Sequence, residues 1–138
     1  MWRSLVLAMT LAGCVQLPPP PQDAQAKQFR TVPDKAVIYV VRNDPDINRL
    51  PTPLLIDGGA GATTYPGTFV RWEVAPGTHR IAGVASDAGT ITLNTAAGQI
   101  YYVRQTVLGF GSPISNLQVV SEQAGRAVAM RGQVIPMQ

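Results

Sequence analysis

The chain has 138 residues, 46% of them hydrophobic and 14% charged, with a formal net charge of +3. That is enough apolar material for one domain with its own core, which excludes a wholly disordered chain. The basic residues are scattered and no Lys/Arg run carries interleaved aromatics, so nucleic acid is not an expected partner.

Residues 1–4 carry one charge, Arg3, and residues 5–11 are apolar apart from Thr10. Small residues follow, and then Cys14, the one cysteine of the chain. A charged start, a short apolar run and a small-residue end describe a secretory signal peptide over residues 1–13. The run is far shorter than the ~20 residues of a membrane-spanning helix. Leu11-Ala12-Gly13-Cys14 resembles a bacterial lipobox. The resemblance makes Leu11, Ala12 and Gly13 the recognition residues and Cys14 the lipidation site. It implies a diacylglyceryl thioether on the sulfur, cleavage before Cys14 and N-acylation of the new amine. Cysteine suits this chemistry because its sulfur is a good nucleophile. Several acyl chains anchor stably where one alone binds weakly. With a single cysteine there is no intramolecular disulfide. By resemblance to Gram-negative lipoproteins, Val15 rather than Asp after the cysteine points to the outer membrane, facing the periplasm. The outer face of the inner membrane is the alternative address.

Pro18, Pro19, Pro20 and Pro21 favour extended polyproline II. Residues 14–33 read as the lipidated cysteine and a proline-rich tether, with room for a short helix over residues 24–30. Ala36–Arg42 is rich in β-branched residues and reads as a strand. A loop with three prolines follows over residues 43–53. Residues 54–56 form a short strand stopped by Asp57-Gly58, a strong hairpin signal, with the return strand over 62–65. Residues 68–75 alternate, with Val70, Trp72 and Val74 on one face and Phe69, Arg71 and Glu73 on the other. Pro66-Gly67, Pro76-Gly77, an Asp87-Ala88-Gly89 turn and Ala97-Gly98 punctuate further strands over 78–86, 90–94 and 99–108. The last strand spans 117–121, and Ala124, Ala127 and Val128 suggest a short helix over 122–130, weakened by Gly125. The expected fold is all-β: an antiparallel β-sandwich of about 7–8 short strands over residues 34–131 with a short C-terminal helix. Residues 132–138 form a tail.

Chemistry has little to work with. The one histidine, His79, sits beyond a Pro-Gly turn, and a metal site would need clustered carboxylates beside it. The acids are scattered, and Asp57 is assigned to its turn. No G-x-S-x-G elbow occurs, and Gly109-Phe110-Gly111 lacks the lysine of a phosphate loop. No catalytic residue, no metal and no cofactor beyond the acyl groups of Cys14 are therefore expected. Tyr101 and Tyr102 point to opposite faces of a strand. An exposed one, with Trp72 or Arg104, makes a candidate binding surface, although cross-strand packing explains these residues more simply.

The segments "AVIYVVR", "LLIDGG", "GTFVRWEVAPGTHRI", "ITLNTAAGQIYYVRQ" and "LQVVSEQAGRAVA", in that order, resemble an uncharacterised family of bacterial lipoproteins, domain of unknown function 2846. The "PGTHRI" hairpin is similar to that of PEGA-type surface domains. The resemblance implies a β-sandwich and an envelope location, and it carries no catalytic residues. The expected function is a non-catalytic binding or structural role in the cell envelope. The membrane is engaged through the lipid, and the partner is an envelope protein or peptidoglycan. An envelope-acting hydrolase and an accessory subunit of an envelope machine are the rival readings.

Overall fold

The computed structural model describes residues 21–84 and 87–136. The signal peptide, the lipobox residues Leu11, Ala12 and Gly13, and Cys14 lie outside the described residues. Among these the elements run α1 (Pro21–Ala26), β1 (Ala36–Arg42), β2 (Thr52–Ile56), β3 (Gly59–Thr64), β4 (Thr68–Val74), β5 (Gly77–Ala82), β6 (Thr90–Thr95), β7 (Ile100–Leu108), β8 (Ile114–Val120), α2 (Glu122–Arg131) and β9 (Gln133–Val134).

β1 is buried along its whole length. A strand apolar on both faces belongs in the middle of a sheet covered on both sides. It pairs antiparallel with β4 and parallel with β7, at the centre of a five-stranded sheet ordered β8-β7-β1-β4-β9. A four-stranded sheet, β3-β2-β5-β6, packs against one face. Ile38, Val40, Val70, Trp72, Val103 and Leu117 there meet Leu54, Ile81 and Leu93. The result is a β-sandwich with a short C-terminal helix, as the sequence predicts. Two pairings, β1 with β7 and β4 with β9, are parallel rather than antiparallel. Turn signals announce only hairpin neighbours, and a parallel partner lies far away in the chain.

The other face of the larger sheet carries a second core. Val37, Tyr39, Val41, Phe69 and Tyr102 pack with Ala26 and Ala129, flanked by Phe29, Val32, Val128 and Val134. Residues from 21 onward, read from sequence as tether, are thus built into the fold. The Tyr39 hydroxyl donates to the Ala26 carbonyl at 2.6 Å. The Phe29 ring lies 5.3 Å from that of Tyr39 and 6.2 Å from that of Tyr102. Ala26, Phe29 and Val32 are spaced by three, but α1 ends at Ala26 and the other two reach the sheet from the irregular segment after it, so no helical period announces the contact. The tail changes too. β9 adds to β4, and the Val134 amide donates to Asp23 Oδ1 at 2.9 Å.

One end of the sandwich gathers loops. The Asn48 amide donates to the Val107 carbonyl at 2.8 Å and Asn48 Nδ2 to the Gly109 carbonyl at 2.9 Å. The Gly67 amide donates to the Arg42 carbonyl at 3.2 Å, and the Gln133 amide to the Gly67 carbonyl at 3.0 Å. These bonds hold the 43–51, 65–67 and 109–113 loops and the end of α2 together as one loop end.

Candidate functional site

The four residues expected to form a binding surface do not share one. In register across β1, Trp72 and Tyr101 both flank Ile38, while Tyr102 flanks Tyr39. Trp72 and Tyr101 therefore face the four-stranded sheet, and Tyr102 and Arg104 face the helices. Trp72 is 4% exposed and Tyr102 is 3% exposed. Tyr101 is half-buried and its hydroxyl accepts from the Ala96 amide at 2.9 Å. Arg104 is half-buried opposite Gln118. The cause is coverage: β7 lies inside a sheet packed on both faces, so neither tyrosine is free.

The open space lies elsewhere. A groove of about 810 Å³ runs along the edge of the sandwich between β2–β3 and β4, lined by Leu54, Leu55, Ala62, Trp72, Val74 and Ile135 among others. A second, of about 590 Å³, lies between the 22–32 segment and β9, with Arg71, Glu73, Arg30 and Val32 in its walls. Glu73, Ile135 and Pro136 line both, so the C-terminal segment is the ridge between them. In the more polar groove Arg71 is fully engaged. It donates to Glu73 Oε1 at 2.8 Å, to the Tyr39 hydroxyl at 3.1 Å and to the Arg30 carbonyl at 3.3 Å. Burial of the Tyr39 phenol pushes its pKa up, against the Arg71 guanidinium.

No family model, curated protein or solved structure matches the chain. The site must therefore be read from its own residues. Sequence reasoning picked out Trp72 but missed Leu54, Ala62 and Ile135. The signal was the composition of β3, Gly59-Ala60-Gly61-Ala62. Of these, Gly61 and Ala62 line the groove, and Ala62 presents only a methyl group to the core that contains Trp72.

His79 has a defined structural task. Asp57 and Gly58 both take positive φ, 52° and 74°, in the β2–β3 turn, as Asp-Gly favours. His79 Nδ1 lies 2.6 Å from Asp57 Oδ2, and Nε2 lies 2.5 Å from the Ala75 carbonyl. Both partners only accept, so a ring bonded to both is the imidazolium. The hydrogen bond to Asp57, followed by that to Ala75, raises the His79 pKa. The same bond, followed by the Arg80 amide, lowers that of Asp57. The ring thus clamps the β2–β3 turn to the β4–β5 turn.

The linkage has a definite sign. The His79 contribution is complete below its unfolded pKa of about 6.5 and is lost as pH rises through the raised folded value. The Asp57 contribution is present above about 3.9 and is lost as pH falls through the lowered one. The clamp is strongest between these limits. The lone imidazole can be titrated directly by proton NMR. A midpoint above 6.5 is expected, and one below it would mean that no clamp forms. His79→Gln should flatten the decline in urea midpoint above neutral pH.

Proposed function

We propose that the chain is a lipid-anchored lipoprotein of the cell envelope. Cys14 carries the acyl groups at the periplasmic face of the outer membrane, and the sandwich has a non-catalytic binding or structural role toward an envelope protein or peptidoglycan. The resemblance to lipoproteins of domain of unknown function 2846 agrees with this reading and supplies no residue to it.

The observation that carries the binding role is the groove of about 810 Å³ beside β3. It pairs an apolar wall, Leu54 and Val74 with the edge of Trp72, with an edge strand of small residues. An edge strand presents unpaired backbone groups, and an extended segment can pair with it while its side chains enter the groove. The non-catalytic reading is supported by His79, whose two ring nitrogens are both committed to Asp57 and Ala75.

Cys14→Ala is expected to clear the protein from the outer membrane, because neither acylation nor the cleavage before residue 14 can then occur. Retention of the variant in the outer membrane would show that lipid is not what holds it. A photocrosslinker placed at Leu55, which lines the groove and is 43% exposed, should capture an envelope partner in intact cells. Crosslinks from other surfaces but none from Leu55 would remove the groove from the binding role.

A further inference from the structure

Large exposed hydrophobics are not spread evenly over this protein. Seven stand out among the described residues, and five of them, Ile47, Leu50, Tyr65, Phe110 and Met130, sit at the loop end. Ile47 is 68% exposed, and Phe110, at 106%, is covered by nothing. Ile47 and Phe110 are chain neighbours of Asn48 and Gly109, which are hydrogen-bonded to each other. Tyr65 precedes the turn containing Gly67, against whose carbonyl α2 ends just after Met130. Arg49, its side chain 67% exposed and 3.5 Å from the half-exposed carboxylate of Asp44, and Arg131 lie among them. Aromatic and aliphatic tips bordered by arginines match the chemistry of a bilayer interface.

The start of the folded chain lies at the same end. Asp23 is bonded to Val134, which pairs with Phe69 near the start of β4. From there α1 runs away from the loop end, since Ala26 meets Tyr39, two positions further along the sheet. Only six residues separate Cys14 from Pro21, so the seven Cα–Cα steps between them reach at most about 25 Å. The nine residues of β7 alone rise about 30 Å. A lipid on Cys14 therefore cannot stretch past the far end of the sandwich, and the loop end is the one held close to the bilayer.

We infer that the loop end is a membrane-contact surface, with Phe110 and Ile47 entering the lipid headgroup region while the acyl groups hold the chain. This rests on the lipid-anchor reading. It gives the sandwich a fixed orientation, with the far end turned away from the membrane.

The test uses the mature acylated protein, reconstituted in vesicles of phosphatidylethanolamine and phosphatidylglycerol. Phe110→Cys and, separately, Val119→Cys each receive an environment-sensitive fluorophore; Val119 is 55% exposed on β8, away from the loop end. An acylated Cys14 has no thiol to label. Bromine-bearing lipid chains are expected to quench the label at position 110 severalfold more than that at 119. Equal quenching, stronger quenching at 119, or no quenching while the protein floats with the vesicles would overturn the inference and leave the anchor standing. A blue shift at 110 only when envelope proteins are added would assign the surface to a protein partner instead. Failure to float, with a reactive thiol at Cys14, would overturn both readings.

Discussion

Asp46→Ala is expected to lower the unfolding free energy by about 3–5 kcal/mol, because it strips the counter-charge from a buried guanidinium. The Arg42 and Asp46 side chains are 0% and 3% exposed, and Nε donates to Oδ2 at 2.8 Å. Arg42 also donates to the carbonyls of Thr64 at 3.0 Å, Leu50 at 3.0 Å and Asn48 at 2.6 Å. Asp46 accepts from the Val107 amide at 3.1 Å and the Ile47 amide at 2.8 Å. The pair thus ties the 43–51 loop to β3 and β7 at once. Removing the carboxylate orphans one buried charge and one buried amide. A typical domain is stable by about 5–15 kcal/mol, so the variant should unfold at a much lower urea concentration. Asp46→Asn keeps an acceptor in place and should cost less. Replacing both partners by apolar residues, often harmless for a buried pair, should not rescue the fold here, because three backbone carbonyls would lose their donor. Urea midpoints and amide exchange at Val107 and Asn48 check this. A loss under about 1 kcal/mol would mean that the pair does not organise the loop.

Sequence periodicity reached most of the strands because their signals are local. β4 alternates as its residues require, with Val70 and Trp72 toward the four-stranded sheet and Phe69 toward the helices. The Asp57-Gly58 turn also forms where Asp-Gly predicts it. What stayed hidden depends on distant partners. The opposite orientations of Tyr101 and Tyr102 were readable, but not that α2 covers one face and the four-stranded sheet the other. Asp57 looked like a turn residue alone, because His79 lies 22 positions away. Two residues of β9 cannot announce a strand. The groove was legible only in negative form, as small residues in β3 where a closed sandwich would need bulk. The burial of Arg42, at the end of an apolar run, could not be told from an ordinary strand end until the loop folded back over it.

Gly125→Ala is expected to destabilise the protein by up to about 2 kcal/mol, the reverse of what a helix alone would show. Alanine in place of glycine inside a helix ordinarily gains about 0.8–1 kcal/mol. In this fold a Cβ at position 125 would lie 2.5 Å from Tyr102 Cδ1 and 2.6 Å from its Cβ and Cγ. Tyr102 cannot move aside easily. Its ring stacks on Tyr39 at 5.3 Å, and its hydroxyl accepts from Arg126 Nε at 3.1 Å. The helix must lift instead, and overpacking of this kind costs about 1–3 kcal/mol. Lifting α2 also draws the Arg126 guanidinium off the Phe29 ring, 4.9 Å away, which loosens the segment that joins α1 to the sheet. Amide protection over residues 23–32 should therefore fall before that of β1. A peptide spanning residues 121–132 with the same substitution should gain helix content, since it has no Tyr102 to meet. Opposite signs in peptide and protein would isolate the helix–sheet contact as the cause. A stabilised protein would mean that α2 does not seat Gly125 on Tyr102, and that the glycine serves no packing role.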